Sequence, residues 1–424
     1  MQAAGHLKGR RPFYGWAIVA FGALVVFGSA PGQSFIFSVF VDDVRGETGL
    51  SRTGISTLYA VGTVASAAMV FFISRLAARF GARRALMVAG VGLAMACFAM
   101  SGVQTPLALA LVFASLRALG QGSLTINTTV MTAQWFVRQR GRAMALMGLG
   151  YPLSIGVLPP LTKLLVDSLG LRETYAVLGG FVLLAILPGA LFVARERPED
   201  LGLYPDGALS PPPSERQSDE SAITQTGRGP RFWQLALPLA VPSLVTTGLI
   251  FHQLAVMSER GLSGSFAAAL FIPHAAALAT MSVFAGYLID RYGPKVVFSL
   301  GISLLVVAML LISVVTAEEG AVVYSLVLGA SEGTTRVVNA TAWAHYYGLL
   351  DIARVQGSAV MVVIAGTAIG PLPLAVLATS LGGFAEAAVA LCLLPLLALV
   401  SVAVYRQPAR GPRRGSNEGR VSLV

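Results

Sequence analysis

The octapeptide ERGLSGSF at residues 259–266 lies between two long apolar runs, and ETGLSRTG at 47–54 lies between two others. The offset is 212 residues, half of the 424-residue chain. Each octapeptide carries a serine, Ser51 or Ser263, just ahead of an apolar run. A serine there can accept from the first free backbone N–H groups of a helix as the chain turns back. RFGARR (79–84) meets RYGPKV (291–296) at the same offset, as Arg142 meets Arg354. Near GQG (120–122) and SEG (331–333) the offset slips to 211. One unit has been duplicated, both copies running in the same direction.

Composition says what kind of unit it is. The chain is 55% hydrophobic and 12% charged, with mean hydropathy +0.73. A soluble chain carries about 25% charged residues, so too little polar surface remains here to cover soluble globules. Apolar segments of about 20 residues number twelve: 13–41, 53–74, 84–103, 107–134, 142–165, 174–194, 233–257, 266–288, 295–316, 320–345, 356–379 and 384–405. They are too long and too uniformly apolar for barrel strands, which alternate over about 10 residues. The expected class is an all-α integral membrane protein with twelve transmembrane helices in two pseudo-symmetric six-helix bundles. The basic start, MQAAGHLKGRRPFYGW, enters a run of spanning length rather than a short leader core. Cys97 and Cys392 both lie inside apolar spans and read as small buried residues.

Basic residues orient the chain. With both termini in the cytoplasm, 23 of the 30 Lys/Arg fall on cytoplasmic segments and five outside. Arg117 and Arg336 remain inside spans. That asymmetry follows the positive-inside rule and accounts for the net charge of +10 without nucleic acid. A multi-pass protein of the inner (plasma) membrane is expected, working as a monomer. The expected parts are a first bundle (1–194), a cytoplasmic linker (195–231), a second bundle (232–406) and a cytoplasmic tail (407–424). The linker, RERPEDLGLYPDGALSPPPSERQSDESAITQTGRGP over 195–230, is rich in Pro, Ser and acidic residues and reads as a mobile tether. Two like bundles on a tether can rock about a midplane cavity.

The chain resembles the major facilitator superfamily over nearly its whole length. GYLIDRYGPK (286–295) matches the loop between that superfamily's spans 8 and 9, with Gly286, Asp290, Arg291 and Gly293 in its motif positions. The resemblance implies that Asp290 and Arg291 serve the cytoplasmic gate. The first-half copy, SRLAARFGARR (74–84), has Ser74 for the first Gly and Ala78 for the Asp, so its lock must differ. RALGQG (117–122) matches the fourth-span motif with its buried Arg117. Within the superfamily the chain is similar to monocarboxylate and oxalate/formate-type carriers. FYGWAIV (13–19) resembles their span 1, AQWFVRQRGRAMALMGLG (133–150) their fifth-span signature, and FHQL with ERGLS around span 7 their bacterial members.

Ionisable groups inside a bilayer are costly and mark function. Of twenty acidic residues only Glu332 and the border-placed Glu386 lie in spans. Glu332 and Arg336 are spaced i,i+4 on span 10, hence on one face. They can neutralise one another structurally. Alternatively, Arg336 binds a substrate carboxylate through its planar fork while Glu332 carries the proton. Arg117 has a coupling role by resemblance, and His252 beside Gln253 suits a proton relay. His274, after Pro273, reads as support for a helix break. Gln33, Ser34, Gln121, Thr125, Asn127, Thr246, Asn339 and Trp343 form a polar stripe on spans 1, 4, 7 and 10, which the resemblance makes cavity-lining. GYPLSIG (150–156) and GTAIGPLP (366–373) suit close contact and bending where the bundles rock.

Three positions depart from the monocarboxylate pattern. Gly32 stands where a lysine follows the span 1 proline, and Leu278 and Ser282 stand for the span 8 Asp and Arg. Either Arg336 replaces that carboxylate clamp from another helix, or the substrate is not a simple monocarboxylate. No GxxxxGK[ST] or HExxH occurs, so ATP-driven pumping and enzyme activity are not expected, nor is a metal or cofactor. The expected function is proton-coupled transport of a small organic anion by alternating access. The alternative is efflux of a larger amphipathic compound.

Overall fold

The computed structural model describes residues 13–103, 105–208, 229–347 and 352–404. The expected tail (407–424), residues 209–228 of the expected linker, and the side chains of Ser74, Ala78 and Arg354 lie outside the described set. Among the described residues the regular structure is helical throughout, with no strand. In chain order the helices are α1 (Gly15–Gly28), α2 (Ser34–Thr48), α3 (Arg52–Phe80), α4 (Ala82–Met100), α5 (Pro106–Trp135), α6 (Arg140–Leu169) and α7 (Leu171–Phe192). The second set is α8 (Pro230–Phe251), α9 (Gln253–Glu259), α10 (Gly264–Tyr292), α11 (Pro294–Val314), α12 (Glu318–Tyr347), α13 (Ile352–Ile369), α14 (Pro371–Leu381) and α15 (Phe384–Val404).

Nine helices among the described residues are long and apolar enough to cross a membrane. Leu107, Leu184, Phe192 and Val283 are each more than two-thirds exposed. Side chains of that kind need lipid rather than water around them. The chain is a multi-pass membrane protein.

The duplication is visible in the packing. α3 lies against α5 as α10 lies against α12, α4 against α7 as α11 against α15, and α1 against α6 as α8 against α13. Both octapeptide turns work as caps. Ser51 Oγ accepts from Gly54 N at 3.0 Å, and Ser263 Oγ accepts from Phe266 N at 3.2 Å.

The first expected span is not one helix. Ala30–Gly32 form a 3₁₀ turn between α1 and α2, because Pro31 withdraws a backbone donor. Opposite it, Arg117–Leu124 form a π-helical stretch within α5. The two irregular turns meet at glycines: a Cβ on Gly32 would stand 2.2 Å from the Leu116 carbonyl oxygen and 2.9 Å from the Cα of Gly120. Gly32→Ala is therefore expected to cost about 1–3 kcal/mol and to lower the melting temperature of purified protein. An unchanged Tm would contradict this close crossing.

The halves meet along α6–α10, along α3 with α13 and α14, and along α2 with α8 and α9. GYPLSIG does sit at this seam, where a Cβ on Gly156 would lie 2.9 Å from that of Ala275. The glycines of GTAIGPLP do not. Gly370 packs on the Leu244 carbonyl and Gly366 on that of Ala240, both within the second half.

The start of the expected tether is laid down on the first half. Asp206 accepts from the backbone N–H groups of Val137, Arg138 and Gln139 at 3.0, 2.7 and 3.1 Å. Tyr14 donates to the Val193 carbonyl, and Trp135 donates to that of Arg195. Residues 195–208 thus strap the loop between α5 and α6, because a carboxylate there answers three otherwise free N–H groups.

Candidate functional site

Glu332 on α12 is the centre of the buried polar structure. Its Oε2 lies 2.9 Å from His274 Nε2 on α10, and its Oε1 accepts from Tyr151 Oη on α6 at 3.2 Å. Arg336 Nη1, one turn on, is 3.4 Å from the same Oε1. The Arg336 guanidinium lies over the Tyr151 ring, 4.1 Å from its centre. Glu332 and His274 are buried, but the Arg336 side chain is 50% exposed. A carboxylate with three donors is well satisfied. The guanidinium has one long bond and one aromatic face, so much of its fork is free. It is neither locked in nor turned away from the other half, since Tyr151 comes from the first half.

Local sequence explains this placement. The i,i+4 spacing brings Glu332 and Arg336 together. Gly329 and Gly333 let α12 press against α10, where a Cβ would stand 2.2 Å and 2.4 Å from the carbonyl oxygens of His274 and Leu278. Ser325 and Ser331 tie α12 to the Leu270 and Gly301 carbonyls. α12 is thereby held at a backbone distance that lets His274 reach Glu332.

Two members of this cluster have roles that the sequence does not predict. His274, read as support for a helix break, instead points its ring nitrogen at the Glu332 carboxylate. Tyr151 lies inside GYPLSIG, a segment that reads only as a packing stretch. Its only local signal is a polar aromatic residue within a small-residue segment of a span.

Other expected site residues lie elsewhere. Arg117 is buried, donates to the Gly32 carbonyl at 3.2 Å and stands 5.0 Å over the Tyr59 ring. Its Nε and Nη2 have no partner among the described residues. His252 is buried at the octapeptide end of the seam, with Nε2 3.3 Å from Ser56 Oγ and 3.1 Å from the Pro371 carbonyl. It does not join Glu332. Gln33 donates to Ser29 and Asn127 to Ser123, each four residues back on its own segment. Gln121 and Thr125 lie half-buried on α5. Asn339 donates to the Leu239 carbonyl, joining α12 to α8.

Trp343 is a correction. It is buried against Phe232 at 5.5 Å in a core with Phe298, Val355 and Val402, so it packs helices rather than lining a cavity. At the motif loop Arg291 donates to Tyr287 on its own helix. Lys295 takes up the helix end, donating to the Ala403 carbonyl at 2.7 Å. Gly286 and Gly293 have open space around them, and Gly293 needs its φ of +81° to turn the chain. In the first-half copy, Arg83 donates to the carbonyls of Ala190 and Leu191, and Glu196 packs over Gly81.

The octapeptide end carries its own charge network. Asp42, just beyond the expected first span, bonds Arg45 at 2.9 Å and Arg52 at 3.0 Å, while Arg52 also lies over Phe384 of the second half. Partial burial works to raise the Asp42 carboxyl, but the bonds and charges of Arg52 and Arg45 outweigh it and hold it below the ordinary 3.8. A depressed acid stabilises the fold above its unfolded value and loses that contribution as pH falls through its folded one. The Tm advantage of wild type over Asp42→Asn is therefore expected at neutral pH and should shrink on acidification below about 3.8. An advantage independent of pH would contradict this pairing.

Comparison with known proteins agrees with the geometry. The family model for the Major Facilitator Superfamily matches residues 22–281 and again 246–423. Human monocarboxylate transporter 6 is 26% identical over 214 residues, covering 50% of this chain and 42% of that protein. Mouse monocarboxylate transporter 3 is 31% identical over 205 residues, covering 43% and 38% respectively. The chain thus spans about two-fifths of the length of these curated relatives. Among solved structures, an inward-facing, unoccupied bacterial homolog of the human lysosomal transporter Spinster superposes with TM-score 0.72 at 16% identity, covering 93% of this chain and 97% of that one. The nucleoside transporter NupG superposes with TM-score 0.71 at 12% identity, covering 92% and 99%. The helical fold, the twofold match and these likenesses agree: the chain belongs to the Major Facilitator Superfamily and resembles its monocarboxylate carriers.

Proposed function

We propose that this protein is a secondary active transporter that moves a small carboxylate together with a proton by alternating access. In this reading twelve spans form two six-helix bundles in the inner (plasma) membrane, with both termini cytoplasmic. The observation that carries it is one buried carboxylate, Glu332, shared by His274, Tyr151 and a half-exposed Arg336 where the halves meet.

Charge balance supplies the mechanism. Empty, the Arg336–Glu332 pair is neutral. A substrate carboxylate that takes the Arg336 fork adds one negative charge, and a proton on Glu332 cancels it. The loaded and empty sites then carry the same net charge, which matters because an uncompensated charge in a membrane interior is costly. His274 beside Glu332 offers a second place for that proton. The names of the monocarboxylate relatives support the carboxylate class, and Arg336 on span 10 stands in for the missing span 8 clamp at Leu278 and Ser282. Arg117 and His252 are then left with coupling and seam roles.

Uptake of labelled lactate and oxalate into proteoliposomes, with and without an inward proton gradient, tests the reading. Saturable uptake that the gradient accelerates is expected. No saturable flux of any small carboxylate would overturn it and favour efflux of a larger amphipathic compound.

A further inference from the structure

Tyr151 stands on α6 in the first half, yet both of its polar contacts are with α12 in the second. Its hydroxyl donates to Glu332 Oε1 at 3.2 Å, and its ring carries the Arg336 guanidinium at 4.1 Å. Arg336 reaches for the same Oε1 at 3.4 Å, so the two donors share one acceptor. The packing beside Tyr151 continues across the seam, from Phe35 at 5.9 Å to Phe271, itself 6.5 Å from Phe35. Among the described residues three other bonds join the halves, Thr53 with Thr379, Ser56 with His252, and Ser265 with Asp167, all nearer the octapeptide end.

We propose that Tyr151 is a positioning residue that latches the two halves together and ties that latch to occupancy of Arg336. The latch rests on geometry alone, while its response to ligand rests on the carboxylate reading above. With Arg336 on Glu332, Oε1 divides between two donors. An anion that draws Arg336 away leaves Oε1 to the Tyr151 hydroxyl, and the bond across the seam strengthens. A protonated Glu332 keeps an oxygen able to accept, so the latch survives the proton step. Occupancy thereby closes the octapeptide end, as alternating access requires before the opposite side releases.

The test reads closure without reading transport. Thr53 and Thr379 face each other across the seam with hydroxyls 3.4 Å apart, so Thr53→Cys with Thr379→Cys reports closure as a disulfide. The native Cys97 and Cys392, both buried, are replaced by alanine. Tyr151→Phe keeps the ring under Arg336 and removes only the hydroxyl. Oxidative cross-linking in Tyr151→Phe is expected to slow about tenfold without any anion, the loss of one hydrogen bond to a charged acceptor. Lactate should speed cross-linking in the parent and not in Tyr151→Phe. Parental rates in Tyr151→Phe, or equal acceleration of both chains by lactate, would overturn the proposal. Slower cross-linking in Tyr151→Phe with no response to lactate or oxalate in either chain would uphold the latch and sink the carboxylate reading instead.

Discussion

Arg336→Gln is expected to cut carboxylate transport by at least about a hundredfold while the protein still folds and inserts. Two charge-assisted bonds to a ligand, at about 1.5–3 kcal/mol each, are lost with the fork. Folding is spared because the Arg336–Glu332 pair is a long, half-exposed i,i+4 contact of 3.4 Å, a type worth about 0.3–0.5 kcal/mol. Glu332 keeps His274 and Tyr151 as donors in its absence. The contrast in magnitude separates a binding role from a structural one. Arg336→Lys should fall between, since a point charge remains but the bidentate fork is gone. Transport in proteoliposomes, with thermal stability as the folding control, checks it. Normal transport by Arg336→Gln would remove Arg336 from the site.

Glu332→Gln separates the proton from the anion. Exchange of one carboxylate for another should persist, because Arg336 still offers its fork. Accumulation driven by a proton gradient should be lost, since a glutamine cannot carry the compensating proton. The expected result is counterflow within about threefold of wild type and a steady-state accumulation ratio near that of a passive carrier. Stability is also affected. The amide oxygen can still accept from one donor, but the charged acceptor facing a fully buried His274 is gone. Gradient-driven accumulation by Glu332→Gln equal to wild type would move the proton site elsewhere, with the neighbouring His274 the next residue to test.

Much of the architecture was legible because lipid imposes a simple grammar. Length and apolarity mark helices, and a repeated turn marks a duplication. Ser51 and Ser263 were identified as caps and bond as expected, since a cap depends only on residues within four positions. Glu332 and Arg336 were found for the same reason: i,i+4 is a local relation. Tyr151 meeting Glu332 is not, being a contact between residues 181 positions apart. No periodicity within α6 reveals which residue of α12 it will face. Gln33 and Asn127 show how a lone polar residue inside a span reads two ways. Such a residue suggests a cavity, yet each of these side chains finds a partner four residues back along its own segment. Trp343 combines an indole N–H with a large apolar body, and the Phe232 core decided in favour of packing. The break at Ala30–Gly32 was half legible. Pro31 and Gly32 mark it, but only the matching glycine turn at Gly120 shows what the break accommodates.

The central claim is that the Arg336 guanidinium meets water between the halves and is free to take a carboxylate. Its most direct test is labelling of arginine by phenylglyoxal, read by mass spectrometry on the peptide containing Arg336, with and without lactate. Arg336 should react in the empty protein and be protected by lactate, while Arg117, 1% exposed, stays unmodified in both. An Arg336 that never reacts, or that reacts equally with and without small carboxylates, would contradict the claim.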